Sequence, residues 1–304
     1  MKSSHSLFLT VHQRRHHVRV WGPEGAPVLV MAHGWSDVSA SWQFLVDALS
    51  KEWRIYAPDW RGFGLSESNR SPYWFPEYLA DLDLLLEALS PRVPVNLIGH
   101  SMGGNIGGLY AGIRPNRVCR FVNLEGTGLP PHTPDEAPGR YDQWLRQLRG
   151  PAPGFRPYDD YAAFAARLRK ENPRISAEKA EFLARHCCVE TPEGKVEVNF
   201  DPYHRLTNPI LYRVEEAKAC WKRVTAQVLF VAGRDSFFFK QFYPLESPEF
   251  RERLAAYQNL REVLLDDCGH NIHHDQPEQL AALIEDFIPF EHVPEHAPAD
   301  ATER

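Results

Sequence analysis

Short apolar runs alternate with longer amphipathic stretches along the first 126 residues. The runs at 28–32, 53–57 and 95–98 have the continuous apolar character of strands that are buried on both faces. Between them lie two segments with helical periodicity, Ser41 to Leu49 and Tyr78 to Leu89, the second with leucines recurring on one face. This alternation predicts a parallel sheet that is covered by helices on both sides.

The pattern changes after residue 126. The segment 127–222 opens with several prolines, contains no convincing strand run and continues as amphipathic helix candidates. Alternation of strand and helix resumes at about 224. We therefore expect residues 1–126 and 223–290 to form an α/β core, with 127–222 inserted as a helical cap. The polar, proline-rich residues 291–304 are expected to form a loose tail.

A candidate nucleophile follows the third of the apolar runs. Gly99-His100-Ser101-Met102-Gly103 has the form G-x-S-x-G, and it stands between a strand-like stretch and a segment of small residues. In this context the motif is a sharp turn from strand to helix that lifts the serine hydroxyl above the end of a sheet. We predict that Ser101 is a nucleophile and that the Met102 N–H faces the oxygen under attack.

An acid and a histidine follow downstream in the order that such sites require. Asp235 comes directly after the apolar run 227–232, and His270 comes after the run 262–265. Open α/β sheets place their sites at the carboxyl ends of the strands. We therefore predict that His270 takes the proton of Ser101 and that Asp235 orients the imidazole.

Other residues compete for these two roles. Glu125 also follows a strand-like run and is the alternative acid, although the sequence favours Asp235. His273 and His274 lie near His270, but they fall toward a helix that begins near Pro277. The three histidines together suggest a metal ligand set, which we reject because no spaced acidic or cysteine partner completes it.

The loop after residues 28–32 predicts the second half of an oxyanion hole. Gly34 allows the backbone to turn close to the nucleophile, and the Trp35 N–H would then join that of Met102 in binding the developing oxyanion. Gly34 and Trp35 are also expected to contact the substrate, together with Phe237 and Phe238 from the aromatic run after Asp235. Aromatic residues in the predicted cap add to this expectation of a hydrophobic pocket.

These motifs give the chain a resemblance to α/β-hydrolase-fold enzymes over nearly its whole length. Further matches are residues 59–66, which read D-x-R-G-x-G-x-S, and Gly269-His270 followed by Asp275-x-Pro277, where Asp275 stands in place of the usual glutamate. Residues 201–213 resemble bacterial relatives of the serine hydrolase-like proteins. The resemblance implies a mostly parallel eight-stranded sheet flanked by helices, with an inserted helical cap.

The predicted chemistry is acyl transfer. Ser101 would attack a small, largely hydrophobic ester, and water activated by His270 would release the acyl group, with no metal or organic cofactor. A serine at the elbow argues against haloalkane dehalogenases and epoxide hydrolases, which the resemblance associates with aspartate there. A carbon–carbon bond hydrolase acting on diketones, a lactonase and a ligand receptor without turnover remain open, because fold does not fix the reaction.

Composition and charge narrow the classes of partner. The net charge of −6 gives no basic face for nucleic acid. Five cysteines without C-x-x-C spacing indicate a reducing compartment. Without a signal-peptide core or an apolar run of membrane-spanning length, we expect a cytoplasmic protein that acts on a small molecule. The sequence does not predict an oligomeric state.

Overall fold

The computed structural model describes residues 1–290, so the expected loose tail at 291–304 lies outside the described residues. Eight strands form the main sheet in the order β1-β2-β4-β3-β5-β6-β9-β10, and two short strands, β7 and β8, pair separately. The strands are β1 (Ser4–Val11), β2 (Arg14–Trp21), β3 (Val28–Ala32), β4 (Arg54–Pro58), β5 (Val95–His100), β6 (Val118–Leu124), β7 (Cys188–Glu190), β8 (Val196–Val198), β9 (Gln227–Gly233) and β10 (Leu260–Leu265).

Helices flank this sheet. They are α1 (Gln43–Ala48), α2 (Pro76–Leu89), α3 (Met102–Ile113), α4 (Ala137–Arg149), α5 (Tyr161–Glu171), α6 (Ala177–Cys187), α7 (Val214–Trp221), α8 (Phe237–Gln241), α9 (Pro248–Leu254), α10 (Ile272–Asp275) and α11 (Pro277–Phe287). β2 runs antiparallel to β1 and β4, and every pairing from β4 to β10 is parallel. The predicted α/β fold is confirmed.

The central strands are buried on both faces, as their continuous apolar runs predicted. In β9, Leu229 and Val231 point into the cluster that α1 and α11 cover, whereas Val228 packs on the opposite face with α2, α3 and α7. Side chains alternate between the faces of a strand, so a strand in the middle of two helical layers needs apolar residues at every position. This packing fixes the carboxyl ends of β5, β6, β9 and β10 side by side.

The segment between β6 and β9 is mainly helical, with α4 to α7, but it also contains a hairpin. The expectation that 127–222 holds no strand is therefore wrong, because β7 and β8 pair antiparallel from Cys188 opposite Val198. Strands of three residues are too short to produce a recognisable alternation. Apolar side chains of α5, α6 and β8 pack against Phe44 of α1. The exact boundaries of a separate cap stay a prediction.

A buried carboxylate ties the loop after β4 to the loop after β3. Asp59 accepts hydrogen bonds from His17 Nδ1 at 2.7 Å, from the Ser39 N–H at 2.6 Å and from the Leu65 N–H at 3.0 Å. Burial alone would raise the pKa of Asp59, but the hydrogen bond from His17, the charges of His17 and His33 and the Leu65 N–H together outweigh it and bring the pKa to about 2. An ionised Asp59 thus holds the start of the 59–66 loop against the backbone that follows Trp35.

Two further findings bear on the sequence-based expectations. Within residues 1–290, no helix has the length and apolar character needed to cross a membrane. All five cysteines lie in this range and none forms a disulfide.

Candidate active site

Ser101 stands at the turn between β5 and α3 with a backbone conformation that L residues rarely adopt. Its φ is 49° and its ψ is −111°, in a region where strain persists only when the surroundings enforce it. The surroundings are the two glycines of the motif. A Cβ on Gly99 would overlap the Gly103 carbonyl, and a Cβ on Gly103 would overlap the carbonyl of Ala32. The G-x-S-x-G spacing is therefore a packing requirement of this turn.

His270 lies on the loop after β10 and is held by Glu125, which directly follows β6. The distance from His270 Nδ1 to Glu125 Oε2 is 2.5 Å, and the Glu125 side chain is fully buried. Glu125 also has a positive φ of 58°, which is a second strained position beside the nucleophile turn. Since Nδ1 faces a carboxylate, it carries the proton, and Nε2 is left as the acceptor.

The carboxyl of Glu125 is surrounded by donors. Its Oε1 accepts the Gly233 N–H at 2.8 Å, and its Oε2 also accepts Ser236 Oγ at 2.6 Å. Ser236 Oγ itself accepts the Phe238 N–H at 3.3 Å, which directs the hydroxyl proton toward Glu125. Burial raises the pKa of Glu125, and the bonds from Ser236 and Gly233 oppose that rise. Burial also lowers the pKa of His270 to about 4, which keeps the ring neutral at pH 7.

Asp235 does not occupy the position that the sequence assigned to it. Its side chain is 41% exposed, and its carboxylate pairs with Arg174 Nη2 at 2.5 Å and with Lys240 Nζ at 3.2 Å. Lys240, and then Arg174, lower its pKa. The expectation that Asp235 orients His270 is thus corrected, because the loop after β9 turns this side chain outward while β6 delivers Glu125 beneath the imidazole.

The loop after β3 lies against Ser101 and the residue before it. A Cβ on Gly34 would come within 2.8 Å of His100 Nδ1 and 3.4 Å of Ser101 Cβ. Trp35 is half exposed beside the same opening, and Met102 is the first residue of α3. The first N–H groups of a helix have no partner within the helix and sit at its positive end. The Met102 N–H therefore belongs to a set of donors suited to an anion.

Ser101, His270 and Trp35 line one cavity of about 580 Å³, a volume typical of small-molecule sites. Its apolar wall comes mainly from α5, α6 and their neighbours, and its rim carries charges. The apolar lining includes Phe164, Leu168, Ile175, Leu183, Val198 and Phe237, and the charged lining includes Asp37, Arg167, Glu171, Arg174, Asp235 and Asp275. The pocket is more polar at its mouth than the sequence suggested. No hydrogen bond joins Ser101 Oγ to His270 among residues 1–290, and such bonds often tighten only with substrate bound.

The two phenylalanines predicted to contact substrate have different surroundings. Phe237 lines the cavity, is 57% exposed and meets the His270 ring edge-on at 5.1 Å between centroids. Phe238 stacks on the same ring at 5.9 Å and packs with Tyr243, away from the lining. Phe237 therefore faces the cavity, whereas Phe238 packs against the imidazole.

Sequence reasoning missed the residues that fix the histidine loop. His100 is buried and its Nε2 donates to the carbonyl of His270 at 2.9 Å. The Asp275 carboxylate accepts the Gly269 N–H at 2.8 Å and Asn172 Nδ2 at 2.6 Å. His100 stood inside the elbow motif and Asp275 inside the histidine-loop motif, so both positions were visible, but their contacts across the chain were not.

The strand order and the sharp turn at Ser101 are those of a superfamily of hydrolases. A family model described as alpha/beta hydrolase fold matches residues 27–277, and the chain belongs to that family. The resemblance stated from the sequence motifs is confirmed.

Two curated relatives and one solved structure illustrate the similarity. A "Serine hydrolase-like protein" of Danio rerio is 30% identical over 89% of this chain and 84% of its own length. A "Cis-3-alkyl-4-alkyloxetan-2-one decarboxylase" of Shewanella oneidensis is 27% identical over 87% of this chain and 82% of its own. The structure titled "Thioesterase Domain From Curacin Biosynthetic Pathway" matches with a TM-score of 0.81 and 24% identity, over 93% of this chain and 99% of that one, which supports the fold alone.

Proposed function

We propose that this protein is a serine hydrolase that cleaves a small ester through an acyl-enzyme. Ser101 acts as the nucleophile, His270 as the general base and Glu125 as the residue that positions the imidazole. The observation that carries the proposal is the contact of His270 Nδ1 with the buried Glu125 in a cavity that Ser101 also lines. A base oriented by a third group beside a strained serine is the arrangement that activates a hydroxyl.

In this mechanism the ester carbonyl enters with its oxygen toward the N–H groups of Met102 and Trp35. Attack by Ser101 Oγ transfers the hydroxyl proton to His270 Nε2 and places negative charge on that oxygen, where the two donors stabilise it. His270 returns the proton to the departing alcohol. Water then attacks the acyl carbon and gives a proton to the same ring. The bond from that carbon to Ser101 Oγ breaks, the acid leaves and the ring returns the proton to Oγ.

The cavity lining supports a substrate with an apolar acyl or alcohol part and a polar end near the mouth. The apolar surface of Phe164, Leu168 and Phe237 suits a short hydrocarbon group, and Arg167 and Arg174 lie among carboxylates at the rim. A lactone is the second candidate, because the relative from Shewanella oneidensis is named for an oxetan-2-one, which is a four-membered lactone ring. The unpaired cysteines support a reducing, cytoplasmic location.

The test is turnover of p-nitrophenyl esters, lactones and diketones of graded chain length, with Ser101→Ala beside the unaltered protein. If the three groups act as a unit, Ser101→Ala lowers kcat by about a millionfold. A fluorophosphonate probe labels the unaltered protein and fails to label this variant. Replacement of the exposed Ser71 by alanine is the matched control and leaves both readouts unchanged.

The outcomes separate the remaining alternatives. Repeated turnover of esters supports the proposal. A preference for lactones or diketones over esters replaces the ester as the proposed substrate. One equivalent of product without further cycles identifies a ligand receptor. Ester turnover that survives in Ser101→Ala refutes the mechanism.

A further inference from the structure

Two adjacent histidines of α10 meet an aspartate from the loop after β3 beside the cavity. One ligand atom of each of Asp37, His273 and His274 lies within 4.8 Å of the others. His273 Nε2 is 3.7 Å from Asp37 Oδ2. The sequence offered no acidic partner for these histidines because Asp37 reaches them from the other end of the chain. His270 takes no part, since its Nδ1 is held by Glu125.

Both imidazoles contain a buried nitrogen without a hydrogen-bond partner among the described residues. These atoms are Nδ1 of His273 and Nε2 of His274, and the two residues are 0% and 7% exposed. The His273 nitrogen that faces Asp37 is the other one, Nε2, which lies 3.4 Å from Ser41 Oγ, so the unpartnered atom that an ion would satisfy is Nε2 of His274. A buried polar atom without a partner is unfavourable, and in a native protein it calls for an explanation. The neighbouring Lys179 Nζ donates its hydrogen bond to the backbone carbonyl of His274 at 2.9 Å and not to a ring nitrogen of either histidine.

We propose that Asp37, His273 and His274 bind a divalent transition-metal ion, such as Zn²⁺ or Co²⁺, in the wall of the cavity that contains Ser101. Two imidazoles and one carboxylate suit these metals, whereas Mg²⁺ and Ca²⁺ select oxygen donors. Bonds of about 2.0–2.1 Å around a tetrahedral ion place its ligand atoms roughly 3.3 Å apart. The 3.7 Å between His273 Nε2 and Asp37 Oδ2 is close to this value, whereas separations of up to 4.8 Å within the group must contract when an ion binds.

The ion would have a coordination position open to the cavity. Asp37 and His274 both line that cavity, whereas His273 lies behind them against Trp42. Three protein ligands leave one position of a tetrahedral ion for water or another small molecule. Asp37 is two residues from Trp35, so contraction around an ion shifts the backbone that supplies the proposed oxyanion donor. Bound metal therefore inhibits ester turnover, and this consequence rests on the proposed function.

Binding is measured first, without any use of activity. Chelator-treated protein is titrated with Zn²⁺ by calorimetry and with Co²⁺ by visible absorption. We expect one ion per chain and a loss of affinity of at least about tenfold in Asp37→Asn and in His274→Gln, since even outer-shell changes at metal sites have effects of this size. His5→Gln removes an exposed histidine of β1 and is the matched control for binding to surface imidazoles.

Folding of each variant is checked by its melting temperature without metal. Asp37→Asn keeps an oxygen for the Val38 N–H, which Asp37 Oδ1 accepts at 2.8 Å. Its NH₂ group then replaces Oδ2, which accepts from Ser41 Oγ at 2.7 Å, and the Ser41 hydroxyl can rotate to accept instead. Asp37→Asn therefore decides the question if His274→Gln does not fold. Unchanged affinity in a folded variant of either residue overturns the proposal, as does the absence of one-to-one binding in the unaltered protein.

Inhibition is the second readout. One equivalent of Zn²⁺ should lower ester turnover of the unaltered protein and of His5→Gln, and EDTA should restore it. Asp37→Asn should lose this response, measured against its own rate without metal. If the protein has no esterase activity, the proposed function fails while the binding measurements still decide the metal site. One-to-one binding without inhibition overturns the link between the ion and the oxyanion loop.

Discussion

Replacement of Glu125 by glutamine tests the assignment of the acid most directly, because the change keeps the shape of the side chain, removes its charge and turns one acceptor oxygen into a donor. Oε1 of Glu125 accepts the Gly233 N–H and Oε2 faces both Ser236 and His270. A glutamine must keep its oxygen toward the Gly233 N–H, since an NH₂ group there would oppose another donor at 2.8 Å. Its NH₂ group then faces His270 Nδ1.

An NH₂ group at that position makes Nδ1 an acceptor and moves the ring proton to Nε2. The ring then presents a proton to Ser101 and cannot take one. In a serine protease the equivalent change lowers kcat by about 10⁴-fold, which is about 5.5 kcal/mol of activation free energy at 1.36 kcal/mol per factor of ten. We expect a loss of the same order here.

The matched variant is Asp235→Asn. Asp235 is partly exposed and pairs with Arg174 and Lys240 at the mouth of the cavity. Exposed ion pairs contribute little, so we expect kcat/KM to change by less than about fivefold. The assay is the initial rate on a short p-nitrophenyl ester, with melting temperatures to show that both variants fold. A loss of about 10⁴-fold in Asp235→Asn with near-normal activity in Glu125→Gln would refute the reasoning.

Two further predictions concern acid sensitivity and the elbow. His270 must be neutral to accept a proton, and burial lowers its pKa to about 4, so kcat/KM should stay level down to about pH 5 and then fall tenfold per pH unit. An acid limb centred at or above about pH 6.5, the ordinary value for histidine, would contradict this. Gly103→Ala should lower the melting temperature and destabilise the fold by about 1–3 kcal/mol, because its Cβ meets the Ala32 carbonyl. Gly139→Ala, which has open space around it, is the control, and equal stability of the two variants would be evidence against the packing argument.

The sequence predicted most of the fold because its central strands carry their signal locally. Continuous apolar runs such as 95–98 and 227–232 identify strands that are buried on both faces, and the G-x-S-x-G motif contains its own packing requirement. The hairpin of β7 and β8 was not predicted, because three residues are too few to show an alternation of apolar and polar positions.

The sequence did not identify Glu125 as the carboxylate beside His270, and the reason is different. Both Glu125 and Asp235 follow buried strands, so the strand pattern ranks them equally. Which of the two carboxylates contacts His270 depends on the direction in which each loop leaves the sheet. Asp235 is turned outward beside Arg174, and Arg174 lies 61 residues away. Asp37 likewise gains its histidine neighbours only through the fold. Contacts of this range leave no periodic trace in one sequence.

The residues of the site leave the ribosome at different times, because they lie far apart in the sequence. Ser101 and Glu125 end the neighbouring strands β5 and β6 and are synthesised almost together, whereas His270 comes 145 residues after Glu125. Among residues 1–290, β10 is the edge strand beside β9, so under the proposed mechanism His270 reaches Ser101 only once β10 has joined the sheet. A nascent chain that has built the elbow but not β10 holds a strained serine without a proton acceptor. Under the proposed mechanism, hydrolysis therefore begins only after β10 and the loop that carries His270 have been synthesised.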